Sequence, residues 1–140
     1  MILLHSLSIH LVSFFFLFYD GISIDPAEKQ RFLSSVISKL EESEHAESTA
    51  IAHAFALRGQ VSLETGDISN AIIDAKKSIG LKDAATQATI SLAYRVWADA
   101  EKDDPRKVIA ILQQWRKEQP AFQTKLQNEI KDLLEGMEEG

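Results

Sequence analysis

Residues 52–83 read AHAFALRGQVSLETGDISNAIIDAKKSIGLKD. Ala52, Phe55, Ala56, Gly59 and Leu63 recur at helical spacing and predict one apolar side of a helix from about Glu47 to Glu64. Thr65, Gly66 and Asp67 then break the pattern. Gly66 can take the left-handed conformation that ends a helix, and Asp67 can cap the next. The second periodic set, Ala71, Ile72, Ala75 and Ile79, predicts another helix, and Gly80 followed by Leu81 predicts a left-handed stop with an apolar contact. Two helices joined by so short a turn must pack as antiparallel neighbours.

The same grammar extends in both directions. Asp25-Pro26 predicts a helix start, with proline at the first helical position, followed by Phe32, Val36, Ile37 and Leu40. The polar stretch EESEHAES ends that helix or links it onward. Downstream, Ala88, Leu92, Ala93 and Val96 predict a fourth helix over about Ala84–Glu101. Asp104-Pro105 opens a fifth bearing Val108, Ile109, Leu112 and Trp115. Pro120 marks the next boundary, and Phe122, Leu126, Ile130, Leu133 and Leu134 line a sixth helix. The expected class is all-α, with a helical domain over 25–136 and a flexible acidic tail over 137–140. The composition agrees, since 3 prolines and 6 glycines in 140 residues favour long uninterrupted helices and 45% apolar residues can form a core.

Residues 52–83 also resemble one tetratricopeptide repeat along their whole length. Phe55 falls at that family's large aromatic position, Gly59 at its small helix-contact position, and Gly66-Asp67 at its turn. Ala71-Ile72 match its small-then-apolar pair, and Leu81 its closing apolar residue. Arg58, Ser62, Ala75 and Asp83 depart from the pattern, standing where the family prefers Leu, Tyr, an aromatic and Pro. A looser second copy follows over about 86–122: Leu92-Ala93 match the Leu-Gly pair, Val108-Ile109 the Ala-Ile pair, and Pro120 the terminal proline, with an insertion in the EKDDP turn.

The resemblance implies stacked helix pairs that bind a peptide or helix of another protein on the concave surface of their first helices. Carried over, that surface comprises His53, Ala56, Leu57, Gln60 and Glu64 from the first copy and Gln87, Ile90, Ser91, Tyr94 and Trp97 from the second. The family's two-carboxylate clamp would fall on Ala56, Gln60, Gln87 and Ser91, none of them cationic, so that clamp is missing. Tyr94 and Trp97 are the largest features and the expected anchors, with packing inside the domain as the alternative for both. So short a stack leaves a homodimer open.

Residues 1–24 differ from the rest. MILLHSLSIHLVSFFFLFY carries no acidic residue, lysine or arginine. Leu11–Tyr19 has the length of a signal-peptide apolar region, with Gly21 and Ser23 as small residues beyond it, but basic residues and an Ala-x-Ala site are lacking. A cleaved signal, an uncleaved anchor over Ile2–Phe18, and a segment that is neither stay open. The first two imply the secretory pathway or a membrane, the last a cytoplasmic protein.

Several chemistries are disfavoured. A net charge of −6 with scattered cations argues against nucleic acid. No cysteine is present, which removes disulfides, thiolate metal sites and cysteine nucleophiles. The glycines fit neither phosphate-binding nor dinucleotide-binding spacing. Glu42, His45 and Glu47 sketch a weak metal site better explained as a solvated acidic linker, and Asp103-Asp104 a helix cap beside an acidic neighbour. The expectation is a non-enzymatic adaptor or co-chaperone without cofactor or metal. A membrane-tethered assembly factor anchored by residues 1–19 is the alternative.

Overall fold

The computed structural model describes residues 25–43 and 47–139. Among them the chain is all-α. Six helices follow one another: α1 (Pro26–Glu42), α2 (Ser48–Glu64), α3 (Ile68–Gly80), α4 (Gln87–Ala100), α5 (Pro105–Glu118) and α6 (Gln123–Glu139). A 3-10 turn, Pro120–Phe122, leads into α6. Each helix packs on the next, and α2 also packs on α4. No described helix is long and apolar enough to cross a membrane. The signal or anchor expected over 1–24 lies outside the described residues, as does His45.

The helix ends show why the chain turns where it does. Gly66 has φ 82°, where an L side chain would be strained. Its N–H reaches the Leu63 carbonyl at 3.1 Å and the Asp67 N–H reaches Ser62 at 2.8 Å, so two orphan carbonyls of α2 are satisfied at once. Asp67 then accepts from the Asn70 N–H, and Asp104 does the same for Lys107 at the start of α5, each at 3.4 Å. Asp25 is different: the Glu28 and Lys29 N–H groups bond its carbonyl, and its side chain makes no capping bond.

Three local expectations need correction. Gly80 stays right-handed as the last residue of α3; Gly66 alone among the described glycines has positive φ. The chain leaves α3 through right-handed turns, Leu81 and Lys82 donating to Ser78 and Ile79. These turns occupy 81–85, so α4 begins at Gln87 rather than Ala84, with Thr86 accepting the Thr89 N–H at 3.1 Å. At the other end, α6 continues to Glu139 through the stretch expected as a frayed tail.

Packing is close at Gly59. A Cβ there would lie 3.2 Å from the Ala71 carbonyl oxygen and 3.3 Å from Val96 Cγ1, so the missing side chain sets how closely α3 and α4 approach α2. Ser78 adds a buried 2.8 Å hydrogen bond from its hydroxyl to the Ala52 carbonyl. Leu33, Leu57 and Val61 join α1 to α2, while Ala71, Ala75 and Val96 join α3 to α4. The largest cluster centres on α4 to α6 around Ile90, Tyr94, Leu112, Trp115 and Leu126 and takes in Ala56 of α2 and Ile79 of α3. Burying each large apolar side chain contributes up to about 1.5–3 kcal/mol before chain entropy is subtracted. Ala88 and Leu134, expected inward, are exposed: α4 packs through Thr89, Ile90 and Ala93, and α6 through Leu126, Ile130 and Leu133.

Candidate partner-binding cleft

Trp97 lies near the end of α4 on the side facing α3 and α5. With Lys76 on one wall, Lys107, Ala110, Ile111 and Gln114 on the other, and Glu101 at one end, it lines a cleft of about 270 Å³. The Lys76 Nζ sits 5.2 Å from the centre of the Trp97 ring, a cation–π contact across the α3–α4 junction. Lys107 Nζ lies 3.5 Å from a Glu101 carboxylate oxygen, in a weak pair whose lysine is exposed. Two ammonium groups thus flank an indole that is only half-buried.

The indole is held from behind by a run of rings. Tyr94 stacks on Trp97 at 6.3 Å and on Trp115 at 5.8 Å with an interplanar angle of 6°, and Trp115 meets Phe122 at 6.0 Å. Gln114 Nε2 donates to the Tyr94 hydroxyl at 3.1 Å, linking the cleft wall to the stack. Burial pushes the Tyr94 phenol above its ordinary pKa, so the ring stays neutral. Arg95 covers the far side: its guanidinium lies 4.9 Å from the Trp115 ring centre and bonds Glu129 of α6 at 2.8 and 3.0 Å. Those hydrogen bonds hold the Glu129 carboxyl below its usual range.

A second cleft, of about 300 Å³, lies between α1 and α3 over α2. Arg58 forms its floor and grips Asp74 of α3 through two bonds of 2.8 and 2.9 Å, and Gln30, Ser34 and Lys77 help to line it. Arg58 and Lys77 both stand over the Phe55 ring, at 5.5 and 5.3 Å. Because the ion pair is internally satisfied, this cleft offers less unspent binding capacity than the one at Trp97.

The groove expected from the resemblance is not assembled as expected. Leu57, Ile90 and Tyr94 are buried, together with Ala56, and present no surface. Leu57 is used in holding α2 to α1, Ile90 and Tyr94 in holding α4 to α5, and Ala56 packs into the same cluster as Ile90 and Tyr94. His53 Nδ1 bonds the Thr89 hydroxyl at 3.0 Å. Gln87 and Ser91 are tied to buried Gln119: Ser91 donates to its Oε1 at 2.7 Å, and its Nε2 donates to the Gln87 carbonyl at 2.9 Å. Trp115 Nε1 donates to the same Oε1 at 2.7 Å, so Gln119 locks α4 to the end of α5. Gln60 is half-buried and Glu64 exposed. Trp97 alone of the expected residues lines the cleft, and it does so with residues of α3 and α5.

Lys76, Lys107 and Gln114 escape a reading by sequence because isolated polar residues on amphipathic helices look like solvated faces. A usable signal is Ala110, a small residue on a helix otherwise lined by large ones, opposite an aromatic on the preceding helix. Among the described residues no group of three or more His, Asp or Glu is placed to hold a metal ion. No protein-family model, no curated protein and no solved structure matches the chain, so its function has to be read from this cleft and the helices around it.

Proposed function

We propose that the chain is a tetratricopeptide-like helical scaffold that acts as an adaptor by binding a segment of another protein in the Trp97 cleft. The observation that carries this reading is the half-exposed indole on the floor of a cleft, flanked by two ammonium groups and backed by a fixed aromatic stack. A rigid aromatic in a pocket is the commonest kind of binding anchor, since it contributes area without losing many rotamers. The size of the cleft points the same way. At about 270 Å³ the cleft lies at the low end of the roughly 300–1,000 Å³ of typical small-molecule sites and leaves room for one bulky side chain.

Three further features support the repeat architecture. The close contact at Gly59, the left-handed turn at Gly66 and the α2–α4 packing are what stacked helix pairs require. The docking surface in this reading is the α3–α5 side rather than Gln60, Glu64, Gln87 and Ser91. Catalysis has no part in it.

The test is a binding measurement with a partner identified by cross-linking and then purified. Trp97→Ala, checked for unchanged helicity, is expected to weaken binding by about 2 kcal/mol, or about 30-fold. A Gln60→Ala, Glu64→Ala double variant is expected to bind like the parent. The reverse pattern would return the site to the α2–α4 surface and sink the cleft reading.

A further inference from the structure

The α1–α3 cleft holds groups that the Arg58–Asp74 pair leaves unused. All but Ile73 of its lining side chains are polar or charged, unlike the Trp97 cleft with its indole, alanine and isoleucine. Gln30 of α1 is the most telling of them. Its Nε2 donates to the Ser62 hydroxyl at 3.1 Å, while its Oε1 is buried with no hydrogen-bond partner. No other buried side-chain oxygen or nitrogen among the described residues is left in that state. An acceptor that has given up water and found no donor is costly to keep, and a ligand carrying an O–H or N–H removes that cost.

The charges define the rest of the ligand. Arg58 and Lys77 bring two cations to the lining and Asp74 one carboxylate, while Glu41 acts on Arg58 through space from outside the lining. Asp74 accepts from Nε and Nη2 of the guanidinium, and Ser34 accepts from Nη1 at a long 3.4 Å, so part of its donor capacity stays free. The Lys77 ammonium stands over the Phe55 ring at 5.3 Å and joins no ion pair among the described residues. One excess positive charge in the lining suits a single carboxylate, and a phosphate dianion would overshoot it. The same excess disfavours an ammonium as the donor, so the group facing Gln30 is a hydroxyl.

We propose that the α1–α3 cleft binds a small hydroxy-carboxylate, its carboxylate held by Lys77 and Arg58 and its hydroxyl donating to Gln30 Oε1. The cleft, of about 300 Å³, stands at the lower limit of small-molecule sites and takes a ligand of a few carbons. Ile73, 48% exposed, offers those carbons an apolar wall. This site is separate from the Trp97 cleft and stands or falls without it.

Titrating the isotope-labelled full chain with lactate, followed by NMR, tests this. Propionate is the same molecule without the hydroxyl, and lactamide lacks the charge. Lactate is expected to give saturable shifts at the Gln30, Ser34, Asn70 and Lys77 amides in the millimolar range. Propionate is expected to bind about fivefold more weakly and lactamide about tenfold more weakly. Gln30→Met keeps the length of the side chain and removes the acceptor, and it is expected to bind lactate and propionate equally. Lys77→Met, at an exposed position, is expected to weaken both acids and leave lactamide unchanged. Unmoved resonances away from the cleft show that each variant folds. The absence of saturable shifts at those four amides, a lactate preference that survives Gln30→Met, or shifts confined to the Trp97 cleft would each overturn the proposal.

Discussion

Removing the Asp74 carboxylate leaves the Arg58 guanidinium of the α1–α3 cleft without its bonded counter-charge, with Glu41 acting on it only through space, and the structure sets how much that costs. Asp74 is 3% exposed and accepts both arms of the guanidinium, at 2.8 and 2.9 Å. Stranding one partner of a buried pair costs about 3–5 kcal/mol. The Arg58 side chain keeps 20% of its surface, so water partly replaces the lost bonds and the estimate falls to about 2–3 kcal/mol. For a domain of this size that lowers Tm by about 8–12 °C. Urea denaturation followed by far-UV circular dichroism measures the loss as a shift in midpoint at constant slope. Arg58→Leu alone is expected to cost a similar amount, because it buries an unpaired carboxylate. Combining Arg58→Leu with Asp74→Ala removes both charges, and the double variant is expected to be about 2 kcal/mol more stable than the sum of the singles predicts. Additive losses would show that the two groups are not coupled, and the account of how α2 holds α3 would be refuted.

Gly59→Ala gains about 1 kcal/mol in helix propensity but places a methyl against the Ala71 carbonyl and Val96, so a net loss of about 1–2 kcal/mol is expected by the same assay; a stabilised variant would mean that α3 and α4 move apart freely. Tyr94→Ala empties the middle of the aromatic stack and is expected to cost about 3–5 kcal/mol, with the tryptophan fluorescence shifting to the red; a loss below about 1 kcal/mol would place Tyr94 on the surface after all. Arg95 lowers the folded pKa of Glu129, so this pair stabilises the fold above the unfolded carboxyl pKa of about 4.3 and is lost as pH falls through the lower folded value. Asp99, raised chiefly by burial, acts in the opposite sense at the same arginine. Glu129→Gln is therefore expected to destabilise by no more than about 1 kcal/mol at pH 7 and to flatten stability between about pH 5 and 3; an unchanged acid slope would count against the pair.

The helices were legible because their signals are local. Gly66-Asp67 and Asp104-Pro105 each combine a stop or a cap with a change of periodic phase, and the structure turns at both. Gly80-Leu81 carries the same two-letter signal without the same outcome. A glycine permits a left-handed residue but does not demand it, and here the turns at 81–85 continue right-handed until Thr86 supplies a cap. The start of α4 thus depended on a competition between two endings that the composition of the segment does not rank.

Site residues were harder to find for a different reason: on α4 almost every face is in contact with another helix. Leu92 and Val96 look to α2 and α3, Ile90 and Tyr94 to α5, and Arg95 to α6. A repeat pattern assigns surface and core by position within one helix pair, as though the outer face of that pair met only water or a ligand. In this chain the buried Gln119 and the ring of Trp115 draw Gln87, Ser91 and Tyr94 into the α4–α5 contact, which takes away the surface the pattern would leave open. Trp97 escapes because it lies past that contact, where Lys76 stands over the ring and the small Ala110 leaves room beside it. The half-buried aromatic is therefore a consequence of how α5 is anchored. Gln119→Ala tests that dependence: freeing Gln87 and Ser91 should loosen α5 and increase the exposure of Trp97 to a neutral quencher, whereas unchanged quenching would mean that the cleft is set by α3 and α4 alone.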